Sequence, residues 1–270
     1  MTDLPTFLAT HPNSVVVDIT ATQGSTPRET GAFMLVSPTA LWGTIGGGQL
    51  EFMAIHNARE MLARTGGAAT MDIPLGPEIG QCCGGRTQLR FRQLTPTLKD
   101  ELEATRAGEI ERLPEVLLFG AGHVGRALAA ALAPLPLSVT VVEIRQEELA
   151  NLPAVTKTRL VPMPEALVKD IAAGGAVVIL THDHALDFLI AREALAREDL
   201  AYTGMIGSAT KRATLASWLS REGGERAWME RLTLPIGGSA VRDKRPEVIA
   251  AMTAAEILTA LAAYRLQASS

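Results

Sequence analysis

EVLLFGAGHVG, residues 115–125, is the stretch whose reading decides the fold. A short apolar run leads into glycines at 120, 122 and 125, and the helix-forming run HVGRALAAALAP follows. Each glycine has a mechanical reason in that spacing. Gly120 allows a tight turn, Gly122 lets backbone approach a phosphate, and Gly125 lets the helix pack closely on the strand. The helix amino terminus then offers N–H groups and a partial positive charge to an anion. The next strand, LSVTVVE, ends in Glu143, about 20 residues on, where an acceptor for a ribose hydroxyl is expected. This strand–turn–helix unit predicts a Rossmann-like fold. It does not by itself establish NAD(P) as the ligand, because the fold holds other nucleotides and cofactors as well.

Strands and helices alternate onward from that stretch. PEALVKDIAAG, AVVILT, DFLIAREALARE, AYTGMIG and ATKRATLASWLSREG continue the pattern, which predicts a doubly wound parallel sheet covered on both faces over residues 115–270. The preceding half reads differently. Residues 14–23, 32–37 and 40–45 are strand-like, 49–64 carries helical spacing, and TMDIPL and TQLRFRQL add two strands. We read residues 1–94 as an N-terminal mixed α/β domain with a mixed sheet and a helix. Residues 95–114 gain charge and lose apolar periodicity, which reads as a linker with a helical piece. The fold class is therefore α/β in two parts.

Composition narrows the function classes. Of 270 residues 47 % are hydrophobic and 20 % charged, so the chain can build a core and is not a disordered one. The net charge of −4 argues against nucleic acid as a partner. The amino-terminal segment lacks a signal-peptide core, and Glu247 and Glu256 interrupt the apolar C-terminal run. A cytoplasmic protein without a membrane span is expected. Thiols stay reduced there, so a disulfide is the wrong default for the two cysteines.

Those cysteines are adjacent, in QCCGG at 81–85. Cys82 and Cys83 can be small buried hydrophobes. One of them can instead be a nucleophile, a ligand to a soft metal centre, or a carrier of sulfur, with Gly84 and Gly85 leaving space and Arg86 lowering a thiol pKa. Two cysteines do not complete a zinc site. A second glycine turn, GTIGGGQLE, places Gly46, Gly47 and Gly48 between a strand and a helix, where successive N–H groups suit an oxyanion; the plain alternative is a turn needing positive φ. THDHALD puts His182 and His184 at the carboxyl end of a strand, where doubly wound folds bind ligands. With Asp183 or Asp187 they can bind a metal or move a proton, unless Asp183 merely caps the next helix. GMIGS with Lys211 and Arg212 would face the same crevice, unless Ser208 merely caps the next helix and the basic turn is solvated. His56 and His123 are not expected to be ligands.

GSTPRETGAFMLV (24–36), GTIGGGQLE, QCCGG, VLLFGAGHVG, THDHALD, YTGMIGSATKR and LPIGGSAVRDKRPEVIAAMTAAEI occur in the order seen in the XdhC/CoxI family of xanthine dehydrogenase accessory proteins. The chain resembles that family over nearly its whole length, and its XdhC branch most. The resemblance implies a protein that is not itself an oxidoreductase. It implies binding of the molybdenum cofactor (molybdopterin) as cargo and its protection. It also implies sulfuration of that cargo with sulfur from a NifS-type cysteine desulfurase, and insertion into apo xanthine dehydrogenase. Many CoxI-like relatives carry cysteine in the loop SGGCLE; here Gln49 stands in its place, so thiol chemistry falls to Cys82 or Cys83, one of them facing the molybdenum. Gly46–Gly48 would lie near the phosphate or pterin, with the crevice of Gly120, Gly122, Gly125, His182 and His184 as an alternative pocket. A homodimer is expected, as for carriers that dock to dimeric enzymes.

Two rival readings stand beside it. An NAD(P)-dependent oxidoreductase would use Glu143 for the ribose and His182 or His184 for proton transfer, and would leave QCCGG and GTIGGGQ without a role. A nucleotide-binding scaffold would dock to the dehydrogenase without ever holding cofactor.

Overall fold

A computed structural model describes residues 3–76 and 84–268. The chain divides into two compact units, 1–109 and 110–270.

The first unit is built on a five-stranded sheet of β1 (Val15–Gln23), β2 (Phe33–Val36), β3 (Leu41–Gly43), β4 (Thr70–Pro74) and β5 (Arg86–Gln93), in the order β3-β2-β1-β5-β4. Every ladder between these strands is antiparallel, which corrects the expected mixed sheet. The central strand opens with Val15-Val16-Val17, all buried, because both faces of the sheet are covered. Side chains alternate across a strand. Val15, Val17 and Ile19 therefore meet Leu50, Ala54 and Ala58 of helix α2 (Gly48–Ala63). Val16 and Leu35 meet Leu4, Phe7 and Leu8 of α1 (Leu4–Thr10) on the other face.

The stretch read as a linker is largely helix α3 (Pro96–Glu111), which starts at Thr95, whose Oγ1 accepts the Leu98 N–H at 3.2 Å. Leu98 and Leu102 are its only buried residues and join the α1 cluster. One pair of apolar contacts in 16 residues is too sparse a stripe to stand out as periodicity.

The second unit is a six-stranded parallel sheet. Its strands are β6 (Glu115–Phe119), β7 (Ser138–Glu143), β8 (Lys157–Leu160), β9 (Ala176–Ile179), β10 (Tyr202–Met205) and β11 (Leu232–Thr233), in the order β11-β10-β9-β6-β7-β8. The chain runs outward from β6 in one direction, then returns to β9 and runs outward in the other. The β6–β9 boundary is thus the switch point at which such sheets bind ligands, beyond the strand carboxyl ends. Period-two alternation splits β6, so that Val116 and Leu118 pack under α4 (His123–Leu132) and α7 (Pro246–Ala268). Phe119 packs on the opposite side, in the cluster of α5 (His184–Ala196) and α6 (Ala209–Arg221).

Residues 164–174, expected to continue the alternation, begin with 3-10 turns over Pro164–Asp170 rather than an α-helix. Strands β8 and β11 were not foreseen. All four residues of β8 are exposed, so no apolar run marks it. Helix α7 is the one described helix long and apolar enough to cross a membrane. Its Ala250, Ala254, Ile257 and Leu261 share one helix face and lie in the core beside Leu128, Ala129 and Leu132 of α4.

Candidate functional site

The turn after β6 has the geometry its spacing demands. Gly120 has φ +111°, and a Cβ there would stand 2.6 Å from the Leu180 carbonyl oxygen. A Cβ on Gly125 would stand 2.1 Å from the Gly120 oxygen. Gly122, at the N-cap of α4, meets nothing within 4 Å, and no side chain caps that helix. Turn and helix end are therefore packed from below and open above.

Glu143 sits at the end of β7, beside this turn. Only 5 % of it is exposed, and its two oxygens are used by main chain. One accepts the Ala121 N–H at 2.9 Å; the other accepts the N–H groups of Ile144 at 2.8 Å and Arg145 at 3.2 Å. The acid found by its spacing thus ties the glycine turn to the neighbouring strand.

Next along the strand ends comes THDHALD, after β9. Asp183 caps α5, accepting the Ala185 N–H at 2.8 Å. His182 and His184 are exposed. His182 shares a narrow cleft with Gly120 and Glu143. Both histidines border a wider one with Gly207, Ser208 and Lys211, from the turn after β10. Beneath them lies a pair that reading the motifs one by one did not join. Asp187 is fully buried, accepts the Thr181 hydroxyl at 2.7 Å, and holds the ammonium of Lys211. Lys211 also donates to the Ile206 carbonyl at 3.0 Å and is 8 % exposed. Asp187 lies in THDHALD and Lys211 in YTGMIGSATKR. The sheet order that makes β9 and β10 neighbours brings them together across 24 positions. Arg212, by contrast, donates to the carbonyls of Met229 and Leu232 and supports the fold.

Beyond β10 the crevice opens into a cavity of about 600 Å³. Ile206 and Gly207 form the wall it shares with the histidine cleft. Ile236, Val248, Ile249 and Met252 supply apolar lining, and Arg242 and Lys244 line it as cations. Behind it the Tyr202 hydroxyl donates to Glu256 at 2.8 Å, and the same carboxylate oxygen accepts the Gly237 N–H at 3.0 Å. Burial, reinforced by the Glu256 bond, pushes the Tyr202 hydroxyl far above its ordinary pKa, so it remains a donor.

In the first unit, Gly46, Gly47 and Gly48 all have positive φ, at 129°, 79° and 64°. Their turn is already engaged by an acid of the chain. One oxygen of Glu51 accepts the N–H groups of Ile45 at 2.9 Å and Gly47 at 3.0 Å, and the Thr44 hydroxyl. Burial raises the pKa of Glu51, but the bonds from Thr44, Gly47 and Ile45 outweigh it and hold the group below its ordinary value. A Cβ on Gly46 would meet Pro27 at 2.4 Å, and one on Gly85 would meet the Ser25 oxygen at 2.2 Å. Gly84 bridges Ser25 directly. The segments GSTPRETG, GTIGGGQ and the glycines after the cysteines are therefore in contact at one end of the sheet. Arg86 pairs with Asp72 at 2.7 Å. Cys82 and Cys83 lie outside the described residues. Among the described residues, no group of three or more His, Cys, Asp or Glu side chains is placed to hold a metal ion.

Of the residues named from sequence, Gly120, Glu143 and His182 share one cleft, and His182 and His184 share the next with Lys211. Gly46–Gly48 belong to the other unit.

Comparisons with known proteins follow this division. Residues 116–257 match the model of the XdhC Rossmann domain, and residues 8–73 match the model of the XdhC and CoxI family. The uncharacterized protein YqeB of Escherichia coli K12 is 27 % identical over 263 residues, which is 90 % of this chain and 42 % of that protein. The chain thus spans less than half the length of that relative. A crystal structure of a xanthine dehydrogenase from Bacillus halodurans superposes with a TM-score of 0.77 at 19 % identity, over 99 % of this chain and 96 % of that one. At that identity the likeness concerns the fold.

Proposed function

The chain belongs to the XdhC and CoxI family, and from that premise we propose that it serves xanthine dehydrogenase maturation as a carrier of the molybdenum cofactor. In this reading it binds molybdopterin, shields it, supports its sulfuration by a NifS-type cysteine desulfurase, and inserts it into apo xanthine dehydrogenase. It acts in the cytoplasm, as a homodimer, without turning over a substrate of its own. The observation that carries the reading is the match of two family models, in order, across most of the chain.

The residues present suit such a cargo. A pterin phosphate needs apolar walls and cations, which the crevice of the second unit has in Ile236, Ile249, Met252, Arg242 and Lys244. The molybdenum end needs a labile soft ligand, and Cys82 or Cys83 is the candidate. A carrier must let go, so one thiolate suits it better than a closed cage. The glycine turn at Gly46–Gly48 supports the phosphate less well than its sequence suggests, because Glu51 already takes two of its amides.

The oxidoreductase reading keeps one observation in its favour, the open face of Gly122 above an uncapped helix. Against it, both Glu143 oxygens are committed to backbone amides, which leaves a poor acceptor for a ribose.

The test is transfer. Protein incubated with molybdenum cofactor and gel-filtered without air should carry molybdenum and pterin, and should activate apo xanthine dehydrogenase. Cys82→Ala or Cys83→Ala should lose at least one of these abilities. No co-eluting cofactor, with equal behaviour of all three proteins, removes the carrier reading; tight NAD(H) binding would then favour the oxidoreductase.

A further inference from the structure

The cavity beside the Gly207 turn is not part of the glycine-turn site at the switch point. It lies one strand further out, past β10, and draws its other wall from the 235–252 segment. That segment lies within the motif LPIGGSAVRDKRPEVIAAMTAAEI, to which neither the Rossmann turn nor the cysteine pair gives a role.

Its size is that of a small-molecule site, and its walls are mostly apolar with a few polar groups, as such sites are. The cations around it resolve by subtraction. Lys211 is neutralised by Asp187, and Arg245 by Asp243 at 2.6 Å. Glu256, behind the cavity, accepts from Tyr202 and Gly237, which are neutral donors and leave it in no ion pair among the described residues. Arg242 and Lys244 remain, two residues apart, both exposed and neither paired with an acid among the described residues. Two unpaired cations at the mouth of an apolar cavity, on a chain of net charge −4, are a local exception to the overall charge. Arg suits a phosphate through its forked donors, and Lys as a point charge. Ile236, Ile249 and the polarisable Met252 offer flat apolar contact to a ring.

We infer that this cavity binds a phosphate monoester carried on a flat heteroaromatic ring, with the ring against Ile236, Ile249 and Met252 and the phosphate at Arg242 and Lys244. Pterin phosphates and purine mononucleotides share that chemistry; taking the ligand as the pterin cargo rests on the carrier reading.

The experiment measures equilibrium binding of molybdopterin, and separately of GMP, to the full chain over a range of salt concentrations. Three proteins are compared: wild type, the double variant Arg242→Ala/Lys244→Ala, and Met252→Trp, which puts a larger ring into the apolar wall of the cavity. Wild type should bind one of the two ligands. Loss of the two cations should weaken that binding on the order of tenfold or more and flatten its salt dependence. Met252→Trp, which crowds the ring's place without touching the cations, should weaken it while leaving the salt dependence in place. Both substituted cations are exposed, so the double variant should unfold at the wild-type temperature, which separates a binding defect from misfolding. Molybdopterin bound equally by all three proteins overturns the cavity and leaves the carrier reading standing. GMP bound in a cavity-dependent way, with no molybdopterin bound, upholds the cavity and removes the carrier reading. Failure of wild type to bind either ligand overturns both.

Discussion

The two glycine turns of this protein, Thr44–Gly48 and Gly120–Gly125, look alike in sequence and differ in structure. Each follows a strand and opens a helix without a side-chain cap. Each is also met by a carboxylate of the chain. In the first, Glu51 comes from the helix that the turn itself opens, and its oxygen gathers the amides of Ile45 and Gly47 and the Thr44 hydroxyl. That turn is closed on itself. In the second, Glu143 arrives from the adjacent strand, takes only the Ala121 amide of the turn, and leaves Gly122 open. A run of exposed amides attracts an anion in either case. Whether a foreign anion can use it depends on where the chain's own acid attaches.

The sharpest way to break the comparison is Gly125→Ala. The new Cβ would collide with backbone at 2.1 Å, where no side chain can swing away. Such overpacking should cost about 3 kcal/mol, read as a lower midpoint for unfolding of the second unit in denaturant. A midpoint within error of wild type would mean that helix and strand are not held at that distance.

Removing the two carboxylates separates the turns next. Glu143→Ala and Glu51→Ala each strand amides that the acid now satisfies, at about 2 kcal/mol each. Their pH behaviour sharpens the contrast. Glu51 titrates below its ordinary value in the folded chain, so its contribution is present above the usual carboxylate range and fades as pH falls through the lowered value. The gap in thermal midpoint between wild type and Glu51→Ala should therefore be widest at neutral pH and narrow as acid protonates the carboxylate. A gap that is the same at neutral and acid pH would show that the charge of Glu51 contributes nothing beyond its acceptor oxygen and its packing.

The smallest expected effect is the most diagnostic. Gly122→Ala meets no atom within 4 Å, at an ordinary φ of −64°, and should change stability by less than about 0.5 kcal/mol. Any ligand whose phosphate approaches that backbone should nonetheless bind less tightly to the variant. If binding is unchanged for every phosphorylated ligand that wild type accepts, the open turn is not the phosphate site, and the cavity past β10 is left as the candidate.

Much of this was legible in the chain. The Rossmann-like half announced itself through spacing, because G-x-G-x-x-G encodes local demands on backbone and Cβ that do not depend on distant residues. The helix over 49–64 was legible from one apolar face, and most strands from short β-branched runs. Helix α3 was not, since two buried leucines in a charged segment leave little pattern. Strand β8 was not either, because a fully exposed edge strand carries no apolar signal. For the site, His182 and His184 were placed correctly at a strand end, while the buried Lys211–Asp187 pair beneath them emerged only when β9 and β10 became neighbours.

By itself, then, the sequence determined the two-part α/β class and the positions of the turns, since both follow from short-range spacing, and its motifs carried the resemblance to the family. Tertiary structure decided which acid closes each turn, which charges cancel, and that residues 206–207 and 235–252 enclose a cavity. Those outcomes depend on strand order and on contacts between residues far apart in the chain. No local pattern encodes them, because the energy of a buried charge or an enclosed void is set by what the rest of the fold brings alongside it.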